Sequence, residues 1–346
     1  MLKEPAERGV SILICTYNGA TRLTPTLTAI LEQEKTRDIP WEVVLVDNAS
    51  TDNTAETARN LMSNSSIAFT LLNEPKPGRD NALRTGFQHV KYEFVCNVDD
   101  DTWVCRDYVS VVWEIMNNHP DVAVCGGRGE GAFEIDPPAW LRPYETALAI
   151  GPQGEKTGYV PKERNYLYGA CAVYRKSLWN KLQESGFRFY LSGRKGKKLS
   201  SGEDMELCQA WQMLGYKLYY DERIQFKHYM PAGRLTWDYF RKLYKAFGRS
   251  DLVIHQYFSK LGMYTKRRSC ILNNYLLYVT YELYAVLKQL PGYLFDSILS
   301  KTGSKHILNA EREIALLNEL LTNKKIYTSV KKTLSDAIRK EIADNN

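Results

Sequence analysis

Short apolar runs alternate with helix-length amphipathic segments through the first third of the chain. Residues 10–15, rich in β-branched side chains, predict a strand, and residues 20–34 a helix. Residues 41–46 predict a second strand, with a helix opening near Thr51-Asp52. A third strand is expected at 67–72 and a helix at about 80–90. Strands at 93–98 and 121–125 flank a further helix at 107–118. This alternation builds a parallel sheet covered on both faces, and ligands bind such sheets beyond the carboxyl ends of the strands. Chemistry is therefore expected in the residues that follow each strand.

The middle, about 126–200, reads as irregular, with clusters of Gly, Pro and Arg. Gly126-Gly127-Arg128-Gly129-Glu130-Gly131 follows a strand as a dinucleotide loop would. Asp136-Pro137-Pro138 comes next instead of a helix, which excludes that motif. Strands return at 217–220 and 224–227, and from about residue 236 the pattern is mainly helical. No internal repeat is present.

Composition narrows the class. The chain has 346 residues, of which 44% are hydrophobic and 12% aromatic, so it is a folded globular protein and not a disordered one. No run of 18 apolar residues suggests a conventional membrane span. Met1-Leu2-Lys3-Glu4-Pro5 has no apolar signal core, and a cytoplasmic chain is expected. The seven cysteines are odd in number and lack CxxC spacing. Cys15, Cys96, Cys125 and Cys171 lie in apolar stretches and read as reduced core residues. Between residues 227 and 270, ten Lys and Arg stand against Asp238 and Asp251. That local +8 exceeds the whole chain's +6 and suits nucleic acid, anionic lipid or phosphate-bearing substrates alike.

Three strand ends carry polar residues suited to a nucleotide: Thr16-Tyr17-Asn18, then Asp47-Asn48-Ala49-Ser50-Thr51-Asp52, then Asp99-Asp100-Asp101. Three adjacent carboxylates repel one another unless a cation answers them, and a divalent ion shared with substrate phosphates is one solution. A solvated acidic turn is the other. A second acidic site, Glu203-Asp204, opens a helix with an apolar stripe of Leu207, Trp211 and Leu214, stopped by Gly215. Ser201 and Asp204 have capping-box spacing, which explains carboxylates there without catalysis. The basic loop before it, with Arg188, Arg194 and Lys195, reads alone as a surface loop. His228, at a strand end, is by itself more often structural.

Taken in order, these segments resemble the family 2 glycosyltransferases, over about residues 8–250. Thr16-Tyr17-Asn18 and Val46-Asp47-Asn48-Ala49-Ser50-Thr51-Asp52 are similar to that family's opening nucleotide-binding signatures. Asp99-x-Asp101 is similar to its DxD metal motif. Ala82-Leu83-Arg84-Thr85-Gly86 and Tyr168-Gly169-Ala170-Cys171-Ala172 resemble two further stretches, each with departures. Gly202-Glu203-Asp204-Met205-Glu206-Leu207 resembles the ED motif, and His228 with Arg234-Leu235-Thr236 a tail signature of bacterial members.

The resemblance implies an α/β protein of the GT-A type, with a mostly parallel nucleotide-binding sheet flanked by helices and a C-terminal helical extension. Its implied boundaries are 1–235 for the catalytic domain, with a nucleotide-sugar half at 8–125 and an acceptor half at 126–235, and 236–346 for the extension. It further implies inverting transfer from a nucleoside diphosphate sugar, UDP favoured, to a saccharide or lipid-linked saccharide. Mn²⁺ or Mg²⁺ would sit on Asp101, with Asp99 and His228 as further ligands. Thr16, Tyr17, Asn18, Asp47, Asn48, Arg79, Asp99 and Asp100 would bind the nucleotide: Asn48 by accepting from the pyrimidine N–H, Asp100 by bonding the ribose. Arg194, Lys195 and Arg234 would face the diphosphate or acceptor. Asp204 would be the general base, with Glu203 orienting it or exchanging roles with it.

Relatives that build surface polysaccharide on lipid carriers imply a place at the inner face of the cell membrane, and the basic stretch fits a peripheral contact. Tyr275, Tyr278, Tyr281 and Tyr284 recur every three residues. They suit packing on the catalytic domain or a membrane interface, packing being preferred. Residues 310–346 read as a partner-facing or lid helix. Three rivals remain: a nucleotidyltransferase, which should carry a Gly-rich phosphate loop after the first strand; a non-catalytic carbohydrate- or membrane-binding scaffold, which should have lost Asp101 or Asp204; and a nucleic-acid protein, which rests on the basic stretch alone.

Overall fold

The computed structural model describes residues 6–191 and 201–344. The elements run β1 (Glu7–Thr16), α1 (Ala20–Leu31), β2 (Trp41–Asp47), α2 (Thr54–Met62), β3 (Ala68–Asn73), α3 (Arg79–His89) and β4 (Tyr92–Asn97). Then come β5 (Thr102–Val104), α4 (Tyr108–Asn118), β6 (Val122–Phe133), β7 (Gly158–Tyr159), β8 (Ala172–Arg175), α5 (Lys176–Glu184), α6 (Glu203–Met213) and β9 (Lys217–Met230). Five helices follow a short 3-10 turn at Ala232–Leu235, of which the first is α7 (Trp237–Lys260), then α8 (Lys266–Asn273), α9 (Tyr275–Ile298), α10 (Lys305–Thr322) and α11 (Lys324–Asp344).

Two compact units divide the chain. The first comprises Met1–Phe133, Glu145–Arg188 and Tyr216–Met230; the second comprises Glu134–Tyr144, Phe189–Gly215 and Pro231–Asn346. All nine strands fall in the first, in the order β3-β2-β1-β4-β8-β6-β9-β5, with β7 on β9. The first four strands expected from the sequence, β1 to β4, form a parallel set. Val10, Ile12, Leu13 and Ile14 of β1 and residues 43–46 of β2 are fully buried, because helices cover both faces and leave polar side chains no place. Leu23, Leu27 and Ile30 of α1 pack into the same core, spaced as one face of a helix. The order turns at β1 and β4: β2 and β3 extend the sheet one way and β4 the other. Ligands bind at such switch points.

The half beyond β4 is mixed, with β8 antiparallel to β4 and β6 but β6 parallel to β9. Here the expectation of an irregular middle is corrected. The glycine block lies within β6, and β8 and α5 occupy residues 172–184. The glycines are required by close backbone approach: a Cβ at Gly127 would lie 1.9 Å from the Ile224 carbonyl oxygen, and one at Gly129 2.1 Å from that of Ala149. A register shift falls between Gly126 and Arg128, so Gly127 marks a bulge. The separate strands expected at 217–220 and 224–227 are one strand, β9.

In the second unit, α7 packs on α10, and Gly248 permits it, since a Cβ there would meet the Arg312 carbonyl oxygen at 2.0 Å. Among the described residues no helix is long and apolar enough to cross a membrane.

The bulge gives a direct test. Gly127→Ala must push the β6 and β9 backbones apart, and it should cost about 1–3 kcal/mol of stability, as overpacking does. Urea unfolding should show a lower midpoint with an unchanged m-value.

Candidate active site

The sheet brings three strand ends together in the first unit. Val98 N–H donates to the Leu13 carbonyl (3.0 Å), so the chain leaving β4 passes alongside the end of β1. That places Asp99, Asp100 and Asp101 beside Thr16, and each carboxylate has a different partner. Asp99 pairs with Arg79 at the start of α3, 2.9 Å away. Asp100 accepts from the Thr16 hydroxyl at 2.6 Å and from the Arg22 guanidinium at 2.8 and 3.1 Å. Asp101 Oδ1 lies 3.4 Å from His228 Nε2.

Asp100 is nearly buried, and burial pushes its carboxyl above the usual range against the pull of Arg22. Three donors already occupy its two oxygens, so the ribose contact expected of it would compete with Arg22 and Thr16. Arg22 and Thr26, whose hydroxyl donates to the Asp100 carbonyl (2.9 Å), were missed by the sequence reading. A signal existed: the first turn of α1 carries a basic residue and no acidic one, against the helix dipole.

His228 reaches Asp101 through strand register. β5 and β9 pair antiparallel with Thr102 opposite His228, and Tyr229 N–H donates to the Asp101 carbonyl at 2.8 Å. His228 Nδ1 donates to the Leu148 carbonyl (2.8 Å), which fixes the ring and turns Nε2 toward Asp101. A ring nitrogen tied to a carbonyl while the other faces a carboxylate is the arrangement that suits a metal ligand. Among the described residues no three His, Cys, Asp or Glu side chains converge to hold a metal ion. The donor set present therefore fits an ion only if substrate oxygens complete its shell, as hard divalent ions allow.

The first two strand ends are interlocked. Asn18, at a left-handed φ of 48°, accepts from Thr51 N–H (2.8 Å), while its own N–H donates to the Ser50 hydroxyl (2.9 Å). Asp47 accepts from Ser50 N–H. Asn48 accepts from Gly78 N–H at 2.8 Å and donates to the carbonyls of Glu74 and Lys76, so its amide shapes the 74–78 turn. The accepting role expected of it toward a pyrimidine competes with that bond. Tyr17 is half exposed and presents an aromatic face at the end of β1.

In the second unit Glu203 and Asp204 occupy the first turn of α6. The capping-box expectation is corrected: the N-cap is Gly202, at φ 102°, and Asp204 Oδ1 accepts from Met205 N–H at 2.9 Å. Two anchors set this turn. Ser250 Oγ donates to the Ser201 carbonyl (2.5 Å). The fully buried Glu206 accepts from Tyr190 N–H, Leu191 N–H and the Tyr257 hydroxyl. Arg234 lies in the 3-10 turn at Ala232–Leu235. Arg194 and Lys195 lie outside the described residues.

These strand ends on this sheet define a nucleotide-binding α/β protein of the GT-A type. Residues 11–182, about half of the chain, match the family model for Glycosyl transferase family 2, and the chain belongs to that family. Poly-β-1,6-N-acetyl-D-glucosamine synthase of Staphylococcus epidermidis is 29% identical over 120 residues, 35% of this chain and 28% of that protein. The alignment thus spans little more than a quarter of that curated relative's length. Among solved structures, the mannosyltransferase PcManGT from Pyrobaculum calidifontis, in complex with GDP-Man and Mn²⁺, gives a TM-score of 0.53 at 20% identity, covering 100% of this chain and 92% of that one. S. aureus TarS 1–349, in complex with UDP-GlcNAc, gives 0.50 at 16% identity over 96% and 92%. At those identities the likeness is one of fold.

Glu206 makes the stability of the α6 anchor depend on pH. Burial pushes its carboxyl from 4.5 up to about 8, against three donors. Between those values the folded chain keeps a proton that the unfolded chain has lost. This contribution is therefore full below 4.5 and declines as pH rises through 8. Melting temperatures from pH 5 to 8 should fall more steeply for the native chain than for Glu206→Gln, whose amide oxygen still accepts but does not ionise.

Proposed function

We propose that the protein is an inverting glycosyltransferase that moves a hexosyl or N-acetylhexosaminyl group from a nucleoside diphosphate sugar, UDP-linked by preference, to a saccharide or lipid-linked saccharide. The observation that carries this reading is the facing pair of Asp101 and His228 at the switch point of the sheet. Family membership and the printed names of the relatives support the same class, and the TarS complex with UDP-GlcNAc supports the donor.

Asp101 and His228, with Asp99 as the further ligand, would hold Mn²⁺ or Mg²⁺. The ion when bound supplies neutralising charge to the diphosphate as it departs. Tyr17 stacks on the base, and Thr16, Asn18 and Asp47 line the nucleotide's place at the ends of β1 and β2. Arg79, already held by Asp99, adds positive charge there. Arg234, Arg194 and Lys195 are assigned to the diphosphate or the acceptor. Asp204 accepts the proton of the acceptor hydroxyl while that oxygen bonds to the anomeric carbon. The bond from that carbon to the diphosphate breaks, and UDP leaves with the electron pair, inverting the centre in one displacement. Glu203 binds acceptor hydroxyls or orients Asp204.

Calorimetric titration with UDP-GlcNAc, with and without Mn²⁺, is the first test. Mn²⁺-dependent binding that Asp101→Asn reduces at least tenfold supports the reading; binding indifferent to both overturns the metal assignment. Asp204→Asn should bind the donor as the native chain does yet lose about 10²–10⁴-fold in transfer rate. Retained transfer would move the base to Glu203.

A further inference from the structure

The second unit turns one helix inside out. The inner side of α9 holds Tyr278, Glu282, Val286 and Asp296, all buried. On the outer side, nine large apolar side chains between residues 276 and 299 are 46–82% exposed, among them Leu276, Leu283, Tyr284, Leu287, Leu294 and Ile298. Together they present on the order of 1,000 Å², against roughly 300–600 Å² for the largest apolar patch of a typical monomer. At 100° per residue they cover about 160° of arc, far wider than the seam of a coiled coil. The one exposed charge on the helix is Lys288.

Charge around this face is segregated by sign. Between residues 261 and 335 every acidic side chain, namely Glu282, Asp296, Glu311, Glu313 and Glu319, is buried or half-buried. Lys266, Arg267, Lys301, Lys305, Lys324 and Lys325 are exposed. Beside the first turn of α9 an open cavity of about 560 Å³ is lined by Asn273, Tyr275, Leu276, Lys324, Lys331 and Lys332. Lys324 lies over the Tyr275 ring at 4.6 Å and lines this cavity together with Leu276, which belongs to the apolar face.

We propose that the outer face of α9 docks on an anionic lipid surface, its leucines entering the acyl boundary while the lysines around it, including the cavity, take phosphate headgroups. The charge pattern selects this occupant over a second copy of the chain. Both ends of α9 are rimmed by cations, so pairing two copies in either orientation sets cation against cation, with no exposed acid among residues 261–335 to answer. A lipid surface supplies the missing negative charge, and a broad apolar arc with a basic rim is the form that lies in the plane of a bilayer interface. The inference does not depend on the transferase reading, since vesicle binding needs no sugar donor.

The test is co-sedimentation of the full chain with vesicles of phosphatidylcholine alone and of phosphatidylcholine with phosphatidylglycerol, at low and high salt. The chain should pellet with the anionic vesicles, less at high salt. Leu287→Glu with Leu294→Glu, both exposed, should weaken this about tenfold or more, with an unchanged circular dichroism spectrum. Lys288→Glu with Lys305→Glu should weaken it while leaving the apolar face intact, which keeps the test decisive if the first pair disturbs folding. Equal recovery with and without anionic lipid overturns the proposal. So does a concentration-dependent dimer, seen by light scattering, that the leucine variant dissolves; the face would then belong to a second copy.

Discussion

Three consecutive carboxylates at the end of one strand are the constraint around which the first unit is organised. Two like charges about 5 Å apart at an effective dielectric near 20 repel by roughly 3 kcal/mol, and a triplet cannot be left to solvent once its middle member is nearly buried. The chain answers two of them with a cation from a different element, Arg79 of α3 and Arg22 of α1, while His228 of β9 faces the third. Removing one partner of such a pair leaves an uncompensated charge, which costs far more than the pair contributes. The carboxylates therefore tie helices on both sides of β1 and β4, and a strand from the far half of the sheet, to one point.

The same economy runs through the neighbouring loops. Asn18 and the 47–52 segment hold each other by hydrogen bonds from main-chain N–H groups to side-chain oxygens, and Asn48 holds 74–78. Residues that a motif marks as ligand-binding are here first of all hydrogen-bonded to the backbone. Rigidity at the strand ends follows from this, and the half-exposed ring of Tyr17 is left projecting from a fixed turn. A preformed site loses less entropy on binding, which is the physical reason for investing polar side chains in its own walls.

How much of this was legible depended on range. The strands β1 to β4 were readable because buried parallel strands are unbroken apolar runs, and the triplet was readable because its members are adjacent. The partners were not. His228 meets Asp101 only through the β5–β9 register across 127 positions, and Arg22 meets Asp100 across 78. β6 was hidden by its own glycines, since the side-chain-free backbone that lets Ile224 approach Gly127 has the composition of a loop. Glu206 reads as one more acidic residue in a helix start. Its burial against Tyr190, Leu191 and Tyr257 is tertiary, and no local pattern encodes it.

The tyrosines of α9 show why a stripe at the wrong period misleads. A spacing of three turns each successive residue back by about 60° from an α-helical face, so four of them drift through about 180°. Tyr278 is fully buried and Tyr284 is 64% exposed, and no single surface receives them all. The spacing that does persist along the outer side is that of Leu276, Leu283, Leu287 and Leu294, steps of seven, four and seven, which an α-helix keeps together. On the inner side Asp296 is held by the Ser304 hydroxyl at 2.5 Å and by Lys301 at 3.6 Å, so the carboxylate is satisfied where it lies. With Asp296 paired inward, the C-terminal half of α9 has no unpaired carboxylate that would rotate its leucines into the unit. Among the described residues nothing covers that face, and the proposed lipid docking would take it out of water.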